Sequence, residues 1–397
     1  MNSHNINSIK STVAGSESQE NIGSGRFSPD VYSRPSWIEV DLAALRHNIR
    51  VIKSKLDPDT KFMAVVKANA YGHGAVKVSE VASEEEVDYL GVALLEEADE
   101  LRDAGIKTPI VILYPENISR SCEAAKKGYI ITVSRSDVLH RFSDTLKDLD
   151  IPVKYFLKIN TGMNRYGIQP ETDPRFFDSI INGNGFEFLG FTTNLAGSNG
   201  GEIRLSQKQE EAFFELMGSA RKRFGNDIYL SYESSGSLSH RDNSLGSLVR
   251  IGHLLYGPLN SDENRLKPVM TVKSKIAEIQ EVNKGAGVGY GFSFVARKDM
   301  KIAVVPMGYA DGYPWSLSNR GFVLINGEIA RVVGRVCMDA FMVDVSDLSD
   351  CDTGDEAVIM CAAGGRSITA QMLGELAGSF SYEMMSRWSR RLPRIYL

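Results

Sequence analysis

The stretch Phe62-Met63-Ala64-Val65-Val66-Lys67-Ala68-Asn69-Ala70-Tyr71-Gly72-His73-Gly74 decides how the rest of the chain is read. Phe62 to Val66 is an unbroken apolar run with the length of a buried strand. It ends in Lys67, followed at once by small residues, a tyrosine and two glycines. A lysine at the mouth of a buried strand is costly to desolvate unless it has a partner or a chemical task. One such task is a Schiff base with an aldehyde cofactor, since burial favours the neutral, nucleophilic amine. On spacing alone, a solvated strand-end lysine is the competing interpretation.

Working outward, short apolar runs alternate with amphipathic segments from Ser36 to about Leu266. Phe62–Val66, Tyr89–Ala93, Ile110–Leu113, Val153–Ile159 and Phe188–Thr192 read as strands, and Val76–Glu86 and Ser206–Phe224 as helices between them. Such alternation predicts a (β/α)8 barrel over residues 35–266. A doubly wound sheet is the alternative, but Gly285-Ala286-Gly287-Val288-Gly289-Tyr290-Gly291 does not fit the GxGxxG spacing of a dinucleotide site. From 267 to 397 the texture changes to short β-rich runs: Thr271–Ile279, Lys301–Pro306, Gly321–Ile325, Ala330–Val333, Met342–Val345 and Glu356–Met360. Asn326-Gly327 between two of them is a hairpin signal. A second, mostly β domain is expected there.

The 397 residues suffice for two domains with sizeable cores, and the net charge of −5 leaves no electrostatic footprint for nucleic acid or an anionic membrane. No long uncharged apolar run predicts a membrane span. Residues 1–34, rich in Ser, Asn and Gly, lack the basic and apolar regions of a secretory signal and read as a disordered tail. Cys122, Cys337, Cys351 and Cys361 form no CxxC pair, and the six histidines show no metal-binding spacing. Reduced thiols and a cytoplasmic location without a metal follow as expectations.

Further strings complete the pattern. They are Leu157-Lys158-Ile159-Asn160-Thr161-Gly162-Met163-Asn164-Arg165-Tyr166-Gly167, Ser231-Tyr232-Glu233-Ser234-Ser235-Gly236 and Val249-Arg250-Ile251-Gly252-His253-Leu254-Leu255-Tyr256-Gly257. In the second half stand Val288-Gly289-Tyr290-Gly291, Pro306-Met307-Gly308-Tyr309, Val336-Cys337-Met338-Asp339 and Ser381-Tyr382-Glu383. Together with the Lys67 string they resemble the alanine racemase family, from Pro35 to Leu397. The resemblance implies a barrel and a C-terminal β domain, the cofactor pyridoxal 5′-phosphate (PLP), and a head-to-tail homodimer that shares its active sites. The cellular role it implies is supplying D-alanine for cell-wall peptide.

It also implies roles. Lys67 would be the Schiff-base lysine. Tyr71, Ser234 (with Ser235 close behind), Gly252, His253, Tyr256 and Tyr382 would surround the phosphate. Arg165 would steady a phenolic oxygen of the cofactor and hold the substrate carboxylate, a task suited to a forked donor, with Lys158 as its carbamylated support. Arg250 would bond the pyridine nitrogen. Because an arginine does not give up its proton, the ring would stay a poor electron sink, which favours racemisation over transamination. Two bases on opposite faces of Cα, Lys67 and Tyr290, would exchange the proton. Met338 would bind the substrate carboxylate through its backbone, Tyr309 would flank the substrate's approach, and Arg391-Leu392-Pro393-Arg394 would be structural.

Two positions depart from the family pattern. Asn194, in Thr193-Asn194-Leu195-Ala196, stands where a ring-stacking histidine is usual, and so should alter how the cofactor is held. Glu233 replaces an asparagine beside the phosphate serine. Serine or a broader amino-acid range remains an alternative substrate, because an apolar pocket rejects one added hydroxyl weakly. A related PLP decarboxylase, a non-catalytic PLP carrier and a degenerate PLP-binding protein are the other readings.

Overall fold

A computed structural model describes residues 34–397, apart from 147–151, 171–173, 179, 181–184, 198–202, 233, 236–245, 258–265 and 364. The expected tail, save Arg34, and Glu233 therefore lie outside the described residues.

β1 (Ser36–Val40) is followed by the eight parallel strands of the barrel: β2 (Lys61–Val65), β3 (Tyr89–Val92), β4 (Ile110–Ile112), β5 (Ile130–Val133), β6 (Val153–Lys158), β7 (Phe186–Thr192), β8 (Tyr229–Ser231) and β9 (Leu248–Ile251). They run in the spatial order β8-β7-β6-β5-β4-β3-β2-β9, and the Ser234–Arg250 bridge draws the two ends together. The strands alternate as a barrel requires. Each sends one side chain to an inner plug: Met63, Tyr89, Val111, Ile130, Phe156, Leu189, Tyr229 and Leu248. Their neighbours Phe62, Ala64 and Val66 belong instead to the large core shared with the helices. Asn48, fully buried on the helix Leu42–Lys53, donates to the carbonyls of Leu255 and Lys267 and accepts from Lys267 N. It thereby pins the exit from the barrel.

The C-terminal half builds, among the described residues, a ten-stranded sheet. Two expectations need correction. β1 lies within the range assigned to the barrel, yet it pairs antiparallel with Met270–Lys275 and parallel with Arg394–Tyr396. The buried Ser36 hydroxyl bonds Ser274 Oγ and Pro306 O, both on that sheet's side. A five-residue segment such as Ser36–Val40 carries no information about which sheet it will join. Secondly, the single run Thr271–Ile279 is two strands, Met270–Lys275 and Glu278–Val282. They break at Ile276-Ala277, whose amides turn to Asp355 O and Val304 O, because the halves pair with different neighbours. The Asn326-Gly327 hairpin forms, with φ of 50° and 80° joining Phe322–Ile325 to Glu328–Val333.

Candidate active site

A cavity of about 290 Å³ opens at the C-terminal ends of the barrel strands, the face where such barrels carry chemistry. Lys67 and Tyr71 reach it from the end of β2, and Arg165 from the loop after β6. Asn194 follows β7, Ser234 follows β8, and Arg250, Gly252 and His253 lie on or just after β9. Tyr382 enters from the helix Ser381–Ser386 of the C-terminal half, its ring stacked on His253 at 4.1 Å. Nine of the ten residues expected around the cofactor thus line one cavity, Tyr256 being the exception. Lys158, at the end of β6, joins them.

The backbone after Lys67 is unusual. Ala68, Asn69, Ala70 and Tyr71 have φ of 53°, 54°, 52° and 53°, a left-handed turn built from four non-glycine residues. This costs about 1–2 kcal/mol per residue, so it forms only where its surroundings over-determine it. Ala70 N bonds Val66 O at 2.8 Å, Gly74 N bonds Asn69 O at 2.9 Å, and Asn69 Oδ1 caps Ala75 N at 2.8 Å. Glu97 accepts from Ala68 N at 2.7 Å. Gly72, at φ +85°, carries no Cβ because one would lie 2.4 Å from Met385 O, and its carbonyl accepts from Arg394 Nε. Arg394 also donates to the carbonyls of Trp388, Ser389 and Leu392, which gives the terminal string the structural role expected of it.

The electrostatics favour an anion. Lys67, Lys158, Arg165 and Arg250 line the cavity, and no carboxylate does among the described residues. Lys158 is 9% exposed, and burial, followed by the nearby charges of Arg250, Arg165 and Lys67, holds its amine well below the usual lysine range. Its Nζ donates to Asn194 Oδ1. Arg250 is anchored on Ser231 O at 2.7 Å and Thr193 O at 2.6 Å, and it also meets the Ser231 hydroxyl. Burial raises the Tyr71 phenol and lowers His253 to about 4, leaving both neutral near pH 7. Ser234 and Ser235 both line the cavity, and Ser235 Oγ accepts from the amides of Gly252 and Leu254.

Tyr256 does not line the cavity. Its hydroxyl donates to Val65 O and its buried ring sits 5.2 Å from that of Tyr71, so it backs Tyr71 instead. Tyr290, Tyr309 and Met338 are likewise apart from Lys67 within one chain, at 73%, 44% and 53% exposure. Three residues escaped the sequence reading. Tyr114 lies 3.4 Å from Lys67 Nζ and presents its ring to both Lys67 and Arg165. Its signal was its place directly after a strand-like run, as with Lys67. Gln209 bridges the loops after β6 and β7 through Thr161 Oγ1, Asn194 O and Ala196 N. Glu97 is the third. Neither Gln209 nor Glu97 has a signal beyond a polar residue on a helix. Among the described residues no cluster of His, Cys, Asp or Glu could hold a metal ion, and no helix is long and apolar enough to cross a membrane.

Residues 40–260 match the family described as "Alanine racemase, N-terminal domain", and residues 269–396 match "Alanine racemase, C-terminal domain". The chain belongs to the alanine racemase family. It is 36% identical over 373 residues to the alanine racemase of Desulfovibrio desulfuricans, covering 92% of this chain and 99% of that one. With the Halothermothrix orenii alanine racemase it shares 35% over 369 residues, 92% of this chain and 97% of the relative. Among solved alanine racemases, that of Clostridium difficile 630 superposes with a TM-score of 0.84 at 31% identity, covering 92% of this chain and 96% of that one. The Bacillus anthracis alanine racemase, solved with bound L-Ala-P, gives the same score, identity and coverage.

Proposed function

We propose that this chain is a PLP-dependent alanine racemase that works in the cytoplasm as a homodimer, interconverting L- and D-alanine. The observation that carries the reading is the cavity itself: four cationic side chains with hydroxyls and no described carboxylate, a donor set suited to a phosphate and a substrate carboxylate.

The residues present fit the cofactor. Tyr71, Ser234, Gly252, His253 and Tyr382 would hold its phosphate, Arg250 its ring nitrogen and Lys67 its aldehyde carbon, with Asn194 beside the ring. When bound, PLP supplies an electron-withdrawing ring that weakens the Cα–H bond of an attached amino acid. Arg250, which donates and never accepts, leaves the ring nitrogen without a proton. Arg165 orients the substrate carboxylate through its two-pronged donor geometry. Lys67 Nζ takes or returns the α-proton on one face, and Tyr290 Oη serves the other.

Within one chain Tyr290 stands apart from Lys67. The proposal therefore takes Tyr290, with Tyr309 and Met338, from a second copy. The exposed Tyr290, Phe292, Tyr309, Trp315, Met338 and Phe380 form the kind of apolar surface a second copy would cover.

Proton NMR of the PLP-loaded protein with L-alanine in D2O, followed by chiral analysis, tests the reading. Loss of the α-proton signal with D-alanine appearing supports racemisation. Loss without D-alanine points to a failed Tyr290 side. No exchange with alanine but exchange with serine moves the substrate, and no exchange with any amino acid marks a degenerate binding protein.

A further inference from the structure

Glu97 sits in the first turn of the helix Leu95–Asp103, well away in sequence from any motif of the site. Its carboxylate nevertheless reaches the backbone at the base of the cavity. Oε1 accepts from Ala68 N at 2.7 Å, and Oε2 accepts from Ala93 N at 2.7 Å and Leu94 N at 3.2 Å. One carboxylate thus clamps the segment leaving β2 to the segment leaving β3.

The amide it holds is a particular one. Ala68 N belongs to the peptide group that carries Lys67's own carbonyl, so fixing that N–H fixes the ψ angle of Lys67. The same peptide opens the left-handed turn from Ala68 to Tyr71. Inside that turn the other bonds come from local backbone, from Asn69 and from His73, whose Nδ1 meets the carbonyls of Ala70 and Tyr71. Among the described residues Glu97 is the acidic side chain that ties the turn's first amide to a neighbouring strand end.

We infer that Glu97 is a positioning residue for Lys67, setting where its amine stands by holding the peptide that follows it. The inference rests on the reading of Lys67 as the reacting lysine. Three N–H donors converge on two oxygens, so an acceptor-only carboxylate is required. A glutamine of the same shape would turn an NH2 group toward at least one donor and leave it unmet. An aspartate keeps the acceptors but is one methylene short of spanning both strand ends.

Glu97→Gln and Glu97→Asp holoenzymes test this against wild type. The first readout is the rate at which cofactor-stripped protein captures added PLP, followed by absorbance and assigned by borohydride reduction and peptide mapping. The second is α-proton exchange in D2O from L- and D-alanine, measured separately. For Glu97→Gln, capture on Lys67 should slow about tenfold or more, because a misplacement near 1 Å has effects of that order. Exchange should fall for one enantiomer and persist for the other, since only the Lys67 face is displaced, and Glu97→Asp should recover part of both. Wild-type capture and exchange in Glu97→Gln would overturn the inference. An equal fall for both enantiomers in step with a lowered Tm would also overturn it, as a purely structural role predicts. If the reduced cofactor of wild-type protein maps to another lysine, the reading of Lys67 fails and the positioning role falls with it.

Discussion

The amine of Lys158 donates to the amide oxygen of Asn194, so the residue standing where a ring-stacking histidine is usual holds a buried lysine. Asn194 also offers its carbonyl to Gln209. Its side chain is thus engaged by Lys158 and its backbone by Gln209, while the residue lines the cavity. Replacing it with leucine removes the acceptor from a buried donor, which should lower stability by about 1–3 kcal/mol. Asn194→His should shift the visible absorbance of the PLP-loaded protein. Denaturant melts and absorbance spectra check both, and an unchanged spectrum in Asn194→His would rule out control of the cofactor by this position.

Burial, followed by the charges of Arg250, Arg165 and Lys67, holds the Lys158 amine well below the usual lysine range. That setting favours reaction with carbon dioxide, the amine losing one proton as the N–C bond of a carbamate forms. Incubation with 13C-bicarbonate should give a carbamate carbon resonance in wild type that is missing from Lys158→Gln.

Gly252 lies so close to Tyr71 that a Cβ would stand 2.6 Å from its hydroxyl oxygen and 3.0 Å from Cζ. Gly252→Ala should therefore push Tyr71 out of place and weaken PLP binding by about tenfold or more. Adding Tyr71→Phe should restore only part, because the ring carbon is still too near. Titration of the cofactor-stripped variants with PLP measures this.

Two buried histidines set an acid limit. His73, wholly buried with Nδ1 donating to Ala70 O and Tyr71 O, is lowered to about 4 by burial, and His253 likewise. The unfolded chain takes up these protons near the ordinary value of 6.5, before the folded one does. Stability is thus full above about pH 6.5 and is lost as pH falls toward about 4, by up to about 1.4 kcal/mol per pH unit for each group. Urea melts at pH 7 and pH 5 should show the loss, and His73→Asn should reduce its slope.

If each site draws Lys67 from one chain and Tyr290 from another, Lys67→Ala and Tyr290→Phe proteins should each be nearly inactive alone. Unfolded together and refolded, they should regain about a quarter of wild-type activity, since half of randomly formed pairs carry one intact site of two. No recovery would place both bases in the same chain.

The barrel was legible because its signals are local. Phe62–Val66 and its counterparts are strand-length apolar runs, and the residues just beyond them fall automatically at one end of a parallel barrel. Lys67 and Asn194 lie just beyond such runs, but the site roles of Asn194, Arg250 and Gly252 came from the resemblance of their strings to the family pattern, not from the runs themselves. Glu97, Gln209 and the backing role of Tyr256 could not be placed from sequence, because each acts through a contact with a distant strand end and leaves no periodic trace. The segment Ser36–Val40 was misassigned to the barrel range for a related reason: only Ser274, Pro306 and Arg394–Tyr396 reveal where it belongs.

That strand has a consequence for assembly of the chain. β1 is flanked by Met270–Lys275 on one side and Arg394–Tyr396 on the other. It is among the earliest described segments to leave the ribosome, and one of its neighbours emerges more than three hundred residues later. Closure of the second sheet must wait until Arg394–Tyr396 has emerged, across a loop of more than three hundred residues. Such a long-range pairing makes for slow late folding, so a nascent chain stalled shortly before Arg394 should carry a protease-sensitive N-terminal strand beside an already protected barrel.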